Sequence, residues 1–467
     1  PFITTWEVTE SDLSLQIPTR GDYTNYADDE PVDVVITDYD FTIDWGDGTV
    51  ETVSGDDPDP SHTYATAGTY TVKISGTFPW MNLGEKPNST YIHSETAKKL
   101  QTVEQWGDIQ WEKMEGMFTG AENMTYNATD VPNLSSVTSL FETFRDARSF
   151  NGDISGWDVS NITSMEGTFK QATSFNQDIG GWDVSNVTTF FEMFYNDPYA
   201  DLPEMSFNAD ISGWNTTNVT NMSEMFRNHT TFNQDIGRWD VSNVTTMRHM
   251  FREASQFNGN INDWNLAKVT VLSGMFWGAT AFNQPLDKWV FPQNHTLSNF
   301  FRDATSFNQD ISGWDVSNIT SISSTFRGAT SFNQDISGWD VSNVDAMSST
   351  FKGATSFNQD ISSWDVSKVT YFYALFDGAT SFNQDISSWD VSISEEFENF
   401  LTGTAFSQEN YDLLLQAWSL LDLYDGITFD ADAQYSCSTS AARQSIIDNN
   451  NWTINDGGSA VACGVSL

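Results

Sequence analysis

The chain has 467 residues and carries 64 acidic against 20 basic side chains, a formal net charge of −44. This balance excludes binding along a nucleic-acid backbone, which needs clustered lysine and arginine. The 18 tryptophans and 34 phenylalanines make the chain too aromatic for a disordered acidic protein. No apolar run is long enough for a transmembrane helix, so no membrane insertion is predicted.

Residues 1–84 alternate apolar and polar side chains between turn signals, a pattern that predicts a small all-β sandwich. Strands are predicted at Asp40–Trp45 and Thr69–Ser75, with a hairpin turn at Gly46–Gly48, where glycine supplies the positive φ.

Two strings in this region carry a resemblance. Asp-Trp-Gly-Asp-Gly-Thr at 44–49 and Ala-Gly-Thr-Tyr-Thr-Val at 67–72, with His62-Thr63-Tyr64 between them, resemble the PKD domain family. The resemblance implies an extracellular Ig-like β-sandwich, in which we expect His62 to pack against its neighbours.

Residues 85–145 are predicted to form a transition and an N-terminal capping repeat, because Gln105–Ile109 and Met117-Phe118 look like a degenerate repeat unit. Residues 146–400 then repeat a 25-residue unit, in which a Phe-Asn step is followed seven residues later by Trp. The Phe-Asn steps begin at Phe150, Phe175, Phe207, Phe232, Phe257, Phe282, Phe307, Phe332, Phe357 and Phe382. A period of this length is typical of a solenoid.

Each unit nearly matches the leucine-rich-repeat frame through its Ile-x-x-Trp-x-Val-x-x-Val pattern. The central Gly-Trp-Asp-Val-Ser predicts a short parallel strand, with Trp and Val facing inward. A capping-box pattern at Thr163–Glu166 and apolar residues at helical spacing predict a short helix after it. The predicted fold class is therefore a leucine-rich-repeat-like solenoid behind a β-sandwich.

Residues 401–467 lack the repeat and predict a C-terminal cap, with helices at 411–418 and 441–447 and a last strand at 452–454. Cys437 and Cys463 are predicted to form a disulfide that closes this cap, with two free buried thiols as the alternative.

The repeat string Met-Phe-x-x-Ala-Thr-Ser-Phe-Asn-Gln-Asp-Ile-Ser-Gly-Trp-Asp-Val-Ser-Asn-Val-Thr resembles the BspA-like family of bacterial surface proteins over about residues 105–400. The resemblance implies a secreted or cell-surface location and a role in adhesion. The family has no shared catalytic residues to carry over.

Three columns of the repeat are candidates for function. The tryptophans could stack on sugars, although a column of aligned aromatics is more typical of a stacked core. A column of aspartates lies on the strand face and could either be hydrogen-bonded within the chain or bind calcium. Its members are Asp158, Asp183, Asp240, Asp315, Asp340, Asp365 and Asp390.

The third column is basic and follows the predicted helix. It can cap helix ends and neutralise nearby aspartates, or it can dock an acidic partner. The candidate row comprises Lys170, Arg227, Arg252, Arg302, Arg327 and Lys352.

Departures from the repeat indicate a contact patch, because loops and exposed aromatics carry recognition. The candidates are Tyr195, Tyr199, Trp277, Tyr371 and Tyr373, and a neutral insertion at 196–204 is the alternative.

No catalytic motif is present, so the sequence predicts a protein that is not an enzyme. We expect an extracellular adhesin or recognition module that binds proteins, glycans or other cells. The alternatives are a subunit of a head-to-tail filament or surface layer, built from copies of itself, and a surface rod stiffened by calcium.

Overall fold

The computed structural model describes residues 1–20, 23–27, 30–34, 36–84, 95–197 and 203–461, with side chains outside 23–27 and 30–34. The chain divides into two units, Pro1–Gln234 and Asp235–Leu467. The first unit contains strands β1 (Phe2–Val8), β2 (Ser14–Gln16), β3 (Tyr23–Ala27), β4 (Glu30–Val34), β5 (Tyr39–Asp44), β6 (Val50–Gly55), β7 (Ser61–Thr63) and β8 (Gly68–Thr77), helix α1 (Glu95–Lys99), and strands β9 (Leu100–Gln105) and β10 (Thr125–Tyr126). The second contains β11 (Phe397–Leu401), α2 (Gln408–Trp418), β12 (Thr428–Ala431), α3 (Ser440–Asn450) and β13 (Thr453–Asn455).

A six-stranded sheet organises the start of the first unit, in the order β10-β9-β1-β8-β5-β6, beside the two-stranded pairs β2-β7 and β3-β4. The predicted strands and hairpin turn are confirmed: Trp45 N–H donates to Thr49 O at 3.0 Å. His62 packs as predicted, stacking on Trp45 at 5.3 Å. Strand β9 lies in the predicted transition segment, yet it pairs with β1. The sheet therefore extends past the boundary predicted at residue 84.

The segment predicted to cap the repeats joins their hydrogen-bond ladder in the first unit. Its backbone N–H groups at Gly116 and Phe118 donate to the carbonyls of Phe141 and Thr143, each at 2.9 Å. The same ladder continues through the following repeats, with parallel bridges from Ser139 to Ser164, Thr189 and Asn221. In the second unit, parallel bridges connect Thr296, Ser321, Ala346, Tyr371 and Glu396. Each array is thus a stack of parallel repeats.

The internal structure of the repeat differs from the predicted strand and helix. Trp339–Ser342 alternates between inward and outward side chains as predicted but forms no strand. The segment predicted as a helix is a run of consecutive β-turns, here called the turn run, and the inter-repeat bridges lie within it. The leucine-rich-repeat assignment is therefore not confirmed for the repeats.

Backbone hydrogen bonding explains the turn run. Alternate N–H groups donate to the next repeat, as Gly167 does to Phe191 O at 2.9 Å, while those between them donate three residues back, as Thr168 does to Met165 O at 3.3 Å. Most runs have two positions, four residues apart, with positive φ, such as Ser324 (58°) and Gly328 (68°). An α-helix cannot contain residues with positive φ at this spacing. The hydrogen bonds to the next repeat instead satisfy the backbone N–H groups that a helix would have used.

Aromatic side chains fill the interior of the repeats. Phe326, Phe351 and Phe376 stack in succession with ring centroids 5.7 Å apart. The tryptophan column is buried, and Trp339 Nε1 donates to Ile311 O of the preceding repeat at 3.1 Å. The tryptophans therefore form core, and the sugar-stacking alternative for them is wrong.

The C-terminal cap contains the strand-plus-helix units that the sequence predicted for the repeats. Strands β11, β12 and β13 form a parallel sheet, and helices α2 and α3 connect them. The N-cap Ser407 accepts the N–H of Asn410, whose side chain donates to Asn383 O at 3.0 Å. In the repeats, the side-chain oxygen of one asparagine accepts the N–H of the asparagine 25 residues later, as Asn308 does from Asn333 at 2.9 Å. The cap continues this pattern and covers the open end of the repeats.

Candidate ligand-binding surface

The basic row lies at the turn runs and is largely paired with acids. Arg227 binds Glu224 at 2.6 Å and Lys352 binds Asp377 at 2.8 Å. Lys170 pairs with Glu192 in the next repeat. These cations therefore neutralise acids of the turn runs, mainly glutamates, rather than the aspartate column. Helix capping is wrong, because the turn runs are not helical.

Tyr195 interrupts the basic row in the first unit and lies between two of its cations. Lys170 Nζ is 4.9 Å and the Arg227 guanidinium 5.2 Å from its ring centroid. Only 8% of Tyr195 is exposed, so the expectation that it contacts a ligand is wrong. Tyr199, the other candidate on the insertion, lies outside the described residues.

Trp277 interrupts the row in the second unit in the same way. The guanidinium groups of Arg252 and Arg302 lie 3.6 Å and 4.1 Å from its ring centroid. The ring separates two cations that would otherwise repel, and it attracts both through its quadrupole. Trp277 is therefore a structural link between neighbouring cations, and its predicted role as a contact residue stays a prediction.

Replacing Trp277 with Leu is expected to lower the free energy of unfolding by about 2 kcal/mol, because two cation–π contacts are lost. Trp277→Phe retains a ring and should lose clearly less. Urea unfolding followed by circular dichroism measures both. Equal losses in the two variants would show that ring volume, not the quadrupole, matters at this position.

The aspartate column is used for turns. In Asp158, Asp183, Asp240, Asp315, Asp340, Asp365 and Asp390, Oδ1 accepts the N–H of the serine two residues ahead at 3.0–3.1 Å. The hydroxyl and N–H of Ser342 hold the pKa of Asp340 below its usual value, and the neighbouring Asp315 raises it in opposition. The hydrogen-bonded alternative for this column is thus confirmed by its geometry.

The turn geometry of the aspartate column also explains the asparagines that interrupt it and tests the prediction that it binds calcium. Asn215 and Asn265 replace aspartate but form the same turn with their amide oxygens, so these substitutions preserve the structure. Across the described part of the chain, no three His, Cys, Asp or Glu side chains come together as metal ligands. The calcium prediction for the aspartate column therefore has no assembled site to support it.

One outward surface of the second unit carries two tyrosine rings, one exposed and one half-buried. We call it the ladder face: the side-chain pairs Ser321/Ser323, Ala346/Ser348 and Tyr371/Tyr373 of successive turn runs, followed in the same two columns by Glu396/Glu398 at the start of β11. Tyr371 is 46% exposed and Tyr373 is half-buried. The preceding repeats offer only short side chains, so the two rings project from this surface.

The sequence analysis missed the acidic part of the ladder face. Tyr371 bridges to Glu396, and Glu398 follows Tyr373 in its column by the same 25-residue spacing. Glu396 is half-buried and Glu398 is exposed. Extending the 25-residue register into the segment after Trp389 would have found both glutamates.

In the cap, Cys437 is disulfide-bonded. Its predicted partner, Cys463, lies outside the described residues. Nearby, Arg443 pairs with the buried Asp456 at 2.7 Å, and Tyr411 donates to the same carboxylate at 2.8 Å.

Comparison with protein families matches the region that contains these surfaces. The model described as "Mycoplasma protein of unknown function, DUF285" matches residues 88–201, 199–313 and 295–413. The chain belongs to the DUF285 family. The three DUF285 matches cover the ladders of both units and end within helix α2, so the N-terminal sheet strands β1–β8 lie outside them.

No curated protein and no solved structure matched the chain. The described residues of this DUF285 protein include no helix that could span a membrane.

Proposed function

We propose that this DUF285 protein is an extracellular, non-catalytic recognition module that binds another macromolecule through the ladder face. The observation that carries the proposal is the pair of exposed Tyr371 and half-buried Tyr373 beside short side chains, whereas the other aromatic candidates with described side chains lie between cations. Tyrosine is enriched where proteins contact partners, because it is large, amphipathic and restricted in conformation.

Two features of the sequence support the extracellular location. The repeats resemble BspA-like surface proteins, and the first 84 residues resemble PKD domains. The disulfide at Cys437 fits an oxidising compartment. Head-to-tail assembly and calcium stiffening stay predictions.

Binding of the whole chain to arrays of glycans, matrix proteins and cell surfaces tests the proposal. For a ligand that binds, Tyr371→Ala/Tyr373→Ala is expected to weaken affinity at least about tenfold, because two contact rings are lost. Tyr424→Ala is the matched control, since it removes an exposed tyrosine from the cap. The proposal fails if no array ligand binds, or if both variants bind as the wild type does.

A further inference from the structure

We infer that the ladder face binds an arginine- or lysine-rich segment of a partner polypeptide, with cationic side chains lying between Tyr371, Tyr373, Glu396 and Glu398. This inference rests on the proposed function and deepens it by naming the chemistry of the partner. The four side chains form a two-by-two patch, because the tyrosines of the last turn run and the glutamates at the start of β11 occupy the same two columns, 25 residues apart.

The glutamates in this patch have no cationic partner among the described residues. Neither the Glu396 nor the Glu398 carboxylate forms an ion pair or a side-chain hydrogen bond with any residue that the structure describes. The described acids of the basic row, by contrast, hold cations of the chain itself, as Glu224 holds Arg227. Two carboxylates beside the exposed Tyr371 and the half-buried Tyr373 offer both charge complementarity and a stacking surface to a cation.

The chain shows how these residue types hold a cation. At Tyr195, Lys170 and Arg227 lie against the ring and are paired with Glu192 and Glu224. The ladder face presents the same tyrosine and glutamate combination without its cations. A guanidinium or ammonium group of a partner would complete it, with arginine favoured because its planar group both stacks and binds carboxylates through two hydrogen bonds.

Charge favours a basic polypeptide over a glycan or a second copy of this chain. A neutral sugar would leave the two carboxylates unpaired. A second copy carries −44 net charge and only 20 basic residues, and its basic row is largely paired with its own acids. Long-range attraction by so acidic a protein would also speed the encounter with a basic partner.

The probe is a short, fluorescently labelled Gly/Ser peptide with interspersed arginines, titrated with the whole chain at about 0.15 M salt to screen diffuse attraction. The same peptide with citrulline in place of arginine removes the charge and retains the shape. Glu396→Gln/Glu398→Gln is expected to weaken binding of the arginine peptide about fivefold, since two charge-assisted contacts are lost.

The control Glu7→Gln/Glu10→Gln removes the same charge from exposed positions of the first unit and should change affinity less than about twofold. Equal losses in the two double variants, or equal binding of the citrulline peptide, would overturn the inference in favour of non-specific attraction. A glycan that depends on Tyr371 and Tyr373 but not on the glutamates would also overturn it, while leaving the proposed function intact.

Discussion

Lowering the pH from 8 to 4.5 is expected to remove about 3 kcal/mol of stability from the first unit through a single side chain, His229. His229 occupies a repeat position that holds alanine in most copies, such as Ala172 and Ala254. It is fully buried, and neither ring nitrogen has a hydrogen-bond partner. Its ring lies against Phe194 and Phe207 at 6.4 and 6.5 Å, so no group compensates a charge there.

Burial lowers the pKa of His229 from 6.5 to about 3. Between these values the unfolded chain binds a proton that the folded chain does not bind. Stability attributable to His229 is therefore fully present above pH 6.5 and falls by about 1.4 kcal/mol per pH unit as the pH drops towards 3. The window above pH 4.5 avoids most of the titration of the aspartates, since serine hydrogen bonds hold the pKa of residues such as Asp158 and Asp183 below the usual 3.8.

The measurement is the free energy of unfolding in urea as a function of pH, compared between the wild type and His229→Ala. The difference between the two profiles isolates the histidine from the general effect of the net charge. His229→Ala is less stable at pH 8 because it leaves a cavity, but the slope due to His229 should be absent. His295→Ala, which removes an exposed histidine, should retain the slope. Parallel profiles for the wild type and His229→Ala would contradict the prediction.

The sequence alone predicts the inward-facing residues of the repeat, because the 25-residue register aligns them in columns. The turn run could not be distinguished from a helix, because Ile322, Phe326 and Ala329 lie at helical spacing in both. The deciding feature is positive φ at non-glycine positions such as Ser324 and Ala374. The ladder to the next repeat imposes that conformation, so it is a tertiary effect.

The candidate site was predicted in part for a similar reason. Tyr195 and Trp277 are visible in the sequence as departures from the basic row, but the pattern does not show that flanking cations cover both faces of each ring. Tyr371 is exposed and Tyr373 is only half-buried, because the residues before them in their columns are short. The exposure of an aromatic side chain thus depends on the side chains of the neighbouring repeats, and inspecting each residue of a column separately does not show it.

Replacing Trp339 with Ala is expected to lower the free energy of unfolding of the second unit by about 4 kcal/mol. Trp339 is 3% exposed and packs parallel to Trp314, with ring centroids 6.3 Å apart. Each repeat contacts mainly its neighbours, so a cavity here weakens two interfaces of the stack. Urea unfolding, with hydrogen exchange to locate the loosened repeats, measures the effect.

Trp339→Phe separates packing from hydrogen bonding. It retains an aromatic ring but removes the Nε1 hydrogen bond to the Ile311 carbonyl at 3.1 Å, which still accepts the N–H of Trp314, so the loss from the hydrogen bond is about 1 kcal/mol. Trp418→Phe is the matched control, because Trp418 is equally buried and its Nε1 has no hydrogen-bond partner. We expect a smaller loss there, from buried area alone. If the two Phe variants lose the same stability, the indole hydrogen bonds do not link the repeats, and aromatic packing alone holds the stack together.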